Sequence, residues 1–152
     1  IMSYTIGEIS KIMGIPASTL RYYDKEGLLP FVKRTSGGIR MFQDKDIAAL
    51  EVINCLKQTG LSISEIKKFI DLCEEGDSTI DQRLELINRQ YQIMKEEEKK
   101  IKATIHVLKY KQWYYKTAKE AGTCSIHFNM EKDHVPEEFH DMIRNSEKNH
   151  PL

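Results

Sequence analysis

The side chains best suited to chemistry are cations set beside aromatic and hydroxyl groups between Ile15 and Phe42, in the stretch IPASTLRYYDKEGLLPFVKRTSGGIRMF. Arg21 carries a forked guanidinium that matches a phosphate or a guanine edge, Ser18 and Thr19 offer small hydroxyls, and Tyr22 and Tyr23 offer phenols. Lys33, Arg34 and Arg40 follow around Thr35-Ser36-Gly37-Gly38, and from Leu28 through Gln43 there are three basic residues and no acidic one. Pro16 suits a first helical turn, where its missing N–H costs nothing, and a helix start offers unpaired N–H groups to an anion. The pattern fits a polyanion.

A second set of candidates is made of thiols and imidazoles. Cys55, Cys73 and Cys124 are odd in number and are expected to be free thiols rather than a disulfide framework. Cys55 lies near the end of an expected helix, where the dipole disfavours a thiolate, and Lys57 falls on a different face. A reactive Cys55 therefore needs a cation or donor from elsewhere; an inert, small core residue is the other reading. Cys73 precedes Glu74 and Glu75 and is less suited to a thiolate. Cys124, His127, His134 and His140 can be written as metal ligands, but no pair has a tight ligand spacing, and scattered surface histidines are the better reading. There is no Gly-rich phosphate loop, paired-cysteine redox motif, His-Glu-x-x-His run or nucleophile elbow, so neither enzyme nor cofactor chemistry is expected.

Several elements must position these groups. Tyr4 starts a short strand, and Thr5-Ile6-Gly7-Glu8 has capping-box form ahead of Ile6, Ile9, Ile12 and Met13 at helical spacing. Gly14 ends that helix, and a second runs to Gly27 with Leu20 and one edge of Tyr23 turned inward. A short hairpin then carries the three cations. Helix, glycine turn and helix make a helix-turn-helix unit, and the hairpin makes a basic wing. Asp44 and Asp46 open a third helix whose stripe is Ile47, Leu50, Ile53 and Leu56, widened by Ala48, Val52 and Cys55. Thr59-Gly60 closes it, and Ser62-Ile63-Ser64-Glu65 opens a fourth through Ile66, Phe69, Ile70 and Cys73.

From Thr79 the periodicity changes. Leu84, Ile87, Tyr91, Met94, Glu98, Ile101, Ile105, Leu108, Gln112 and Tyr115 alternate spacings of three and four, the seam of a coiled coil. So narrow a stripe on one long helix has too little of its own domain to bury it; a second chain is the natural partner, and a helix folded back on its own core in a monomer is the other reading. The interface expected of Leu84, Ile87, Tyr91, Met94, Ile101, Ile105, Leu108 and Tyr115 is therefore that of a homodimer.

Bulk properties bound these readings. At 152 residues, 40% hydrophobic and 30% charged, with mean hydropathy -0.51, the chain is expected to be a helix-rich cytoplasmic protein with no membrane span or signal peptide. Ile1, ahead of a plausible initiator Met2, is expected to be foreign to the natural start. Net charge is +0, yet eight Lys/Arg stand against six Asp/Glu from Ile1 to Gly60, and three against six from Ala121 onward. A neutral average hides a basic face and an acidic tail.

With these residues in view, TLRYYDKEGLL followed by R-x-x-x-G-x-R-x-F resembles the recognition helix and wing of the MerR family of bacterial winged helix-turn-helix transcription regulators. It departs from the family at Ile39, where an aromatic is usual. The resemblance implies a mainly α fold: a DNA-binding domain over 2–75, an antiparallel dimerisation helix over 79–120 and a short effector or tail region over 121–152. It implies double-stranded promoter DNA and RNA polymerase as partners, and a pseudo-palindromic promoter bent and untwisted on activation. Residues 122–152 are too few for the enclosing domain of drug-sensing relatives, and Cys124 stands alone where metal-sensing relatives have a cysteine pair. Cys55, in a Cys-Leu-Lys-x-Thr-Gly context, resembles the branch that answers aldehydes, other electrophiles or nitrosative stress. The alternatives are a metal-responsive regulator using Cys124 and the tail histidines, and a coiled-coil adaptor that binds protein rather than DNA.

Overall fold

The computed structural model describes residues 2–143, so Ile1 and the end of the tail, 144–152, lie outside the described residues. The elements are β1 (Ser3–Tyr4), α1 (Ile6–Met13), α2 (Ala17–Lys25), β2 (Lys33–Arg34), β3 (Arg40–Gln43), α3 (Asp44–Gln58), α4 (Ile63–Glu75) and α5 (Ile80–Ala121). Three short 3-10 turns follow, at Cys124–His127, Lys132–His134 and Glu137–Met142. The fold is mainly helical with a small antiparallel wing and a long last helix, as expected. No described helix is long and apolar enough to cross a membrane.

The described chain divides into two compact units, one ending at Met94 and one beginning at Lys95. In the first, local chemistry sets the helix ends. Thr5 and Glu8 close a capping box on α1, Ser62 and Glu65 do the same on α4, and Gly14 caps α1 with φ 66°. At Gly27, φ is 80°, and this left-handed turn is what calls for glycine, since the nearest atoms to an added Cβ belong to the movable end of Lys67. The sheet has the order β1-β3-β2, pairing Tyr4 with Phe42 and Arg34 with Arg40. Ile9, Leu20, Leu28, Phe42, Leu50, Ile53 and Ile66 are wholly buried between the helices and this sheet. Each contributes roughly 1.5–3 kcal/mol relative to an exposed position.

One expectation about α3 is corrected. Leu50, Ile53 and Leu56 are buried, but Ala48, Val52 and Cys55 are exposed, so the buried stripe is narrower than its apolar residues suggest. The first turns of α5 complete this unit: Leu86 is buried, and buried Gln90 donates from Nε2 to the Thr59 carbonyl at 2.7 Å, capping the end of α3.

In the second unit, α5 turns at Gly122, and the 3-10 segments fold back along its last turns. Phe139 is 4% exposed and lies 5.7 Å from Tyr110, 6.1 Å from Trp113 and 5.8 Å from His106, ring centre to ring centre. His106 Nε2 meets Asp141 at 2.9 Å, and this contact holds the Asp141 carboxyl below its ordinary range. The His127 ring stacks on Tyr114 at 4.0 Å.

Candidate nucleic-acid interface

The interface begins with how α2 divides its faces. Leu20 and Tyr23, three residues apart, are buried, while Ser18, Arg21 and Tyr22 are exposed and Thr19 is half-buried. Tyr23, expected as a DNA contact with one edge turned inward, is 6% exposed and belongs to the core, whereas Tyr22 is 48% exposed. The two tyrosines part because Tyr23 falls on the Leu20 side of the helix, three residues on, and Tyr22 does not.

The wing is built on a turn from Thr35 to Gly38. The Gly38 N–H donates to the Thr35 carbonyl at 2.9 Å, and the Thr35 N–H donates to the Ile39 carbonyl at 2.8 Å. Gly38, with φ 81°, supplies the left-handed residue that closes the turn.

The structure ties wing and helix together through a residue the sequence did not single out. Asp24, on the last turn of α2, accepts at one oxygen, Oδ2, from Arg34 Nη2 at 2.6 Å and from Arg40 Nε at 2.8 Å. Arg34 also donates from Nη1 to the Gly38 carbonyl at 2.9 Å. Arg34 and Arg40, expected among the DNA contacts, each use part of the guanidinium to fix the hairpin to α2. Their remaining N–H groups still leave net positive charge there, since two cations share one carboxylate. Lys33 and Arg21 are exposed and make no ion pair among the described residues. The helix thus exposes Ser18, Arg21 and Tyr22, and the wing bonded to its end exposes Lys33 and Arg34. Such groups can hold phosphates and reach base edges.

The other candidates separate clearly. Cys55 is exposed on α3 rather than packed as a core residue. Cys73, ranked below it from sequence, has the Arg83 Nη1 3.8 Å from its sulfur. Arg83 is itself anchored on Thr79 Oγ1 and the Gly76 carbonyl, at 3.1 and 3.0 Å. The pattern Cys73-x9-Arg83 carries no recognisable signal, because the contact depends on the turn between α4 and α5.

The tail histidines do not converge. His127 Nε2 lies 2.9 Å from both the Tyr114 carbonyl and Thr117 Oγ1. A carbonyl can only accept, so this nitrogen carries a proton and is not a ligand atom. Burial lowers the His127 pKa, and the bond to Tyr114 opposes that only in part. His140 Nε2 is likewise spent on the Val135 carbonyl at 2.9 Å. Among the described residues no three His, Cys, Asp or Glu side chains gather as a metal would need. The metal-responsive alternative is thus not favoured.

The seam residues of α5 are exposed, Leu84 at 55%, Tyr91 at 58%, Ile101 at 57% and Leu108 at 56% among them. Glu98, the charged member of that seam, is not stranded: Lys102 approaches one carboxylate oxygen at 2.7 Å and Lys95 the other at 3.1 Å. These contacts, Lys102 first, hold its carboxyl below the ordinary range.

The family model described as MerR HTH family regulatory protein matches residues 4–73. An uncharacterized HTH-type transcriptional regulator of Haemophilus influenzae is 43% identical over 122 residues, covering 80% of this chain and 90% of that protein. The HTH-type transcriptional regulator AdhR of Bacillus subtilis is 40% identical over 82 residues, 54% of this chain and 59% of AdhR. Among solved structures, HiNmlR, described as a MerR family regulator lacking the sensor domain and bound to promoter DNA, superposes with TM-score 0.66 at 42% identity. That match covers 81% of this chain and 98% of HiNmlR.

Proposed function

Because the chain belongs to the MerR family of helix-turn-helix regulatory proteins and is a DNA-binding transcriptional regulator, we propose that it acts as a homodimer seating two α2 helices and two wings on promoter DNA. Ser18, Thr19, Arg21 and Tyr22 then enter the major groove, while Lys33 and the free edges of Arg34 and Arg40 hold phosphate. The carrying observation is the exposed Arg21 and Tyr22 on a helix whose end is bonded through Asp24 to the basic wing. Two heads on one duplex can bend and untwist the DNA between them, and that change of shape is what RNA polymerase would read. Arg21→Ala is expected to weaken promoter binding by roughly 1–3 kcal/mol in mobility shifts across a salt series. Unchanged affinity and salt slope would refute this use of α2.

The effector acts through a thiol in this reading. Cys55 is exposed and open to an aldehyde or other electrophile, and it shares an outer face of α3 with Ala48 and Val52. Where that face is covered in the assembled regulator, an adduct overpacks it by about 1–3 kcal/mol, a bias of roughly five- to 150-fold. The exposed Cys73, with the Arg83 guanidinium 3.8 Å from its sulfur, supports a second reading in which Cys73 is the sensor. Promoter output with and without an electrophile, in Cys55→Ala, Cys73→Ala and Cys124→Ala separately, assigns the role to whichever variant loses the response.

A further inference from the structure

The carboxyl end of α3 is closed from two sides. From within, the Thr59 N–H donates to the carbonyls of Cys55 and Leu56 at 3.2 and 3.1 Å, and the Thr59 hydroxyl donates to the Leu56 carbonyl at 2.6 Å. From without, Gln90, 31 residues further along the chain, donates from Nε2 to the Thr59 carbonyl at 2.7 Å. Thr59 alone therefore stands between the Cys55 carbonyl and a side chain of α5.

The turn is shaped to admit this bond. Gly60 has φ 89°, and a Cβ there would stand 3.1 Å from Gln90 Nε2 and 3.9 Å from Met94 Sδ, so the missing side chain leaves the amide room to reach the carbonyl. Gln90 is 8% exposed, and Leu56 and Leu86, a turn away on either helix, are buried as well. Apolar contacts are non-directional and let two helices slide past each other. A directed bond from a buried amide does not: sliding would strand the amide without a partner, which costs more than the bond itself contributes. A displacement of the last turn of α3 is thus followed by α5 rather than absorbed where the two meet.

We propose that Gln90 is the positioning residue through which a change at Cys55 reaches α5. An adduct that displaces the last turn of α3 carries the Thr59 carbonyl with it, and Gln90 follows. The proposal rests on the reading of Cys55 as the sensing thiol and names the side chain that passes its signal on.

The test uses the full chain with Cys73→Ser and Cys124→Ser, so that iodoacetamide reacts at Cys55 alone. The sulfur displaces iodide, forming one S–C bond and releasing iodide and the thiol proton to the buffer. Deuterium uptake over 84–94 reports whether α5 follows, and mobility shifts report promoter affinity. In this parent, alkylation should change the exchange rate over 84–94 about threefold and promoter affinity by roughly fivefold or more. Gln90→Met keeps length and packing but removes the donor, and Gln90→Asn keeps the amide but falls one methylene short. In both, the alkylated and unalkylated forms should agree within about twofold on each readout. A mere cap on α3 would lower the melting temperature of these variants yet leave the response to alkylation as large as in the parent. A full response in either variant overturns the proposal while the thiol reading stands. So does a parent that changes promoter affinity while 84–94 exchanges as before, since the signal then bypasses α5. A parent whose promoter affinity ignores alkylation overturns the thiol reading at Cys55, and this proposal with it.

Discussion

Asp24 shows how one side chain can govern a surface it does not itself supply. As an acid on the helix proposed to face DNA it would oppose binding through simple charge, yet its Oδ2 holds both Arg34 and Arg40 and so ties the wing to that helix. A hydrogen bond to a charged group of this kind contributes roughly 1.5–3 kcal/mol, and here two converge on one oxygen. Asp24→Asn adds net positive charge but leaves a neutral acceptor. If charge dominates, promoter affinity rises; if wing geometry dominates, it falls. We expect a fall of about tenfold, or about 1.4 kcal/mol, in a mobility shift at fixed salt. Sequence reading found Arg34 and Arg40 as cations but not their tether, since an acid ten residues before an arginine carries no pattern until the hairpin folds. How far Tyr23 turns inward was not legible for a related reason: Tyr22 and Tyr23 are chemically alike, and only the phase of α2 against the core tells them apart.

Among the elements, those with local stop and start chemistry were legible and those defined by distant contacts were not. Thr5 with Glu8, Ser62 with Glu65, and Gly14, Gly27 and Gly60 punctuate the chain by effects that act within a few residues, so α1 through α4 could be placed from composition alone. The outward face of α3 could not, because Ala48, Val52 and Cys55 look as apolar as the buried stripe beside them. The fold-back onto Tyr110 and Trp113 was missed as well, since the seam drew attention to Leu108, Gln112 and Tyr115 on another side of the same helix. For α5 itself the seam predicts a sharp outcome. Lys at both Ile101 and Ile105 would place unmatched charges in the centre of the pairing face. Sedimentation should then show a monomer with weakened promoter affinity, as one head supplies half of the contacts.

For the molecule as a whole, charge is organised rather than abundant. A net charge of +0 leaves little general attraction for nucleic acid, so the proposed binding would rest on the few cations of α2 and the wing. The acidic tail has its own pH behaviour. His127 has a lowered pKa, so its neutral form is favoured when folded and the unfolded chain binds the proton more readily. The resulting stability is present above the ordinary histidine value, about 6.5, and is lost as pH falls below it toward the folded value. Trp113, whose ring lies 5.2 Å from His127, reports the event as the only tryptophan of the chain. Its fluorescence should change between pH 7.5 and 5.5, and His127→Gln should flatten that change. A transition that persists unaltered in the variant would place the titrating group elsewhere.

Gln90 carries a consequence for modularity. By capping α3 at the Thr59 carbonyl, and with Leu86 buried beside it, α5 lends the reading head its last structural piece, so the head ends inside a helix rather than at a loop. A fragment cut at Glu75 should be partly unfolded by circular dichroism, and one continued to Met94 should melt cooperatively. Whatever lies beyond Met94 could then be exchanged for another helix of matching phase without disturbing the reader, which makes the junction a graft point for building chimaeric switches.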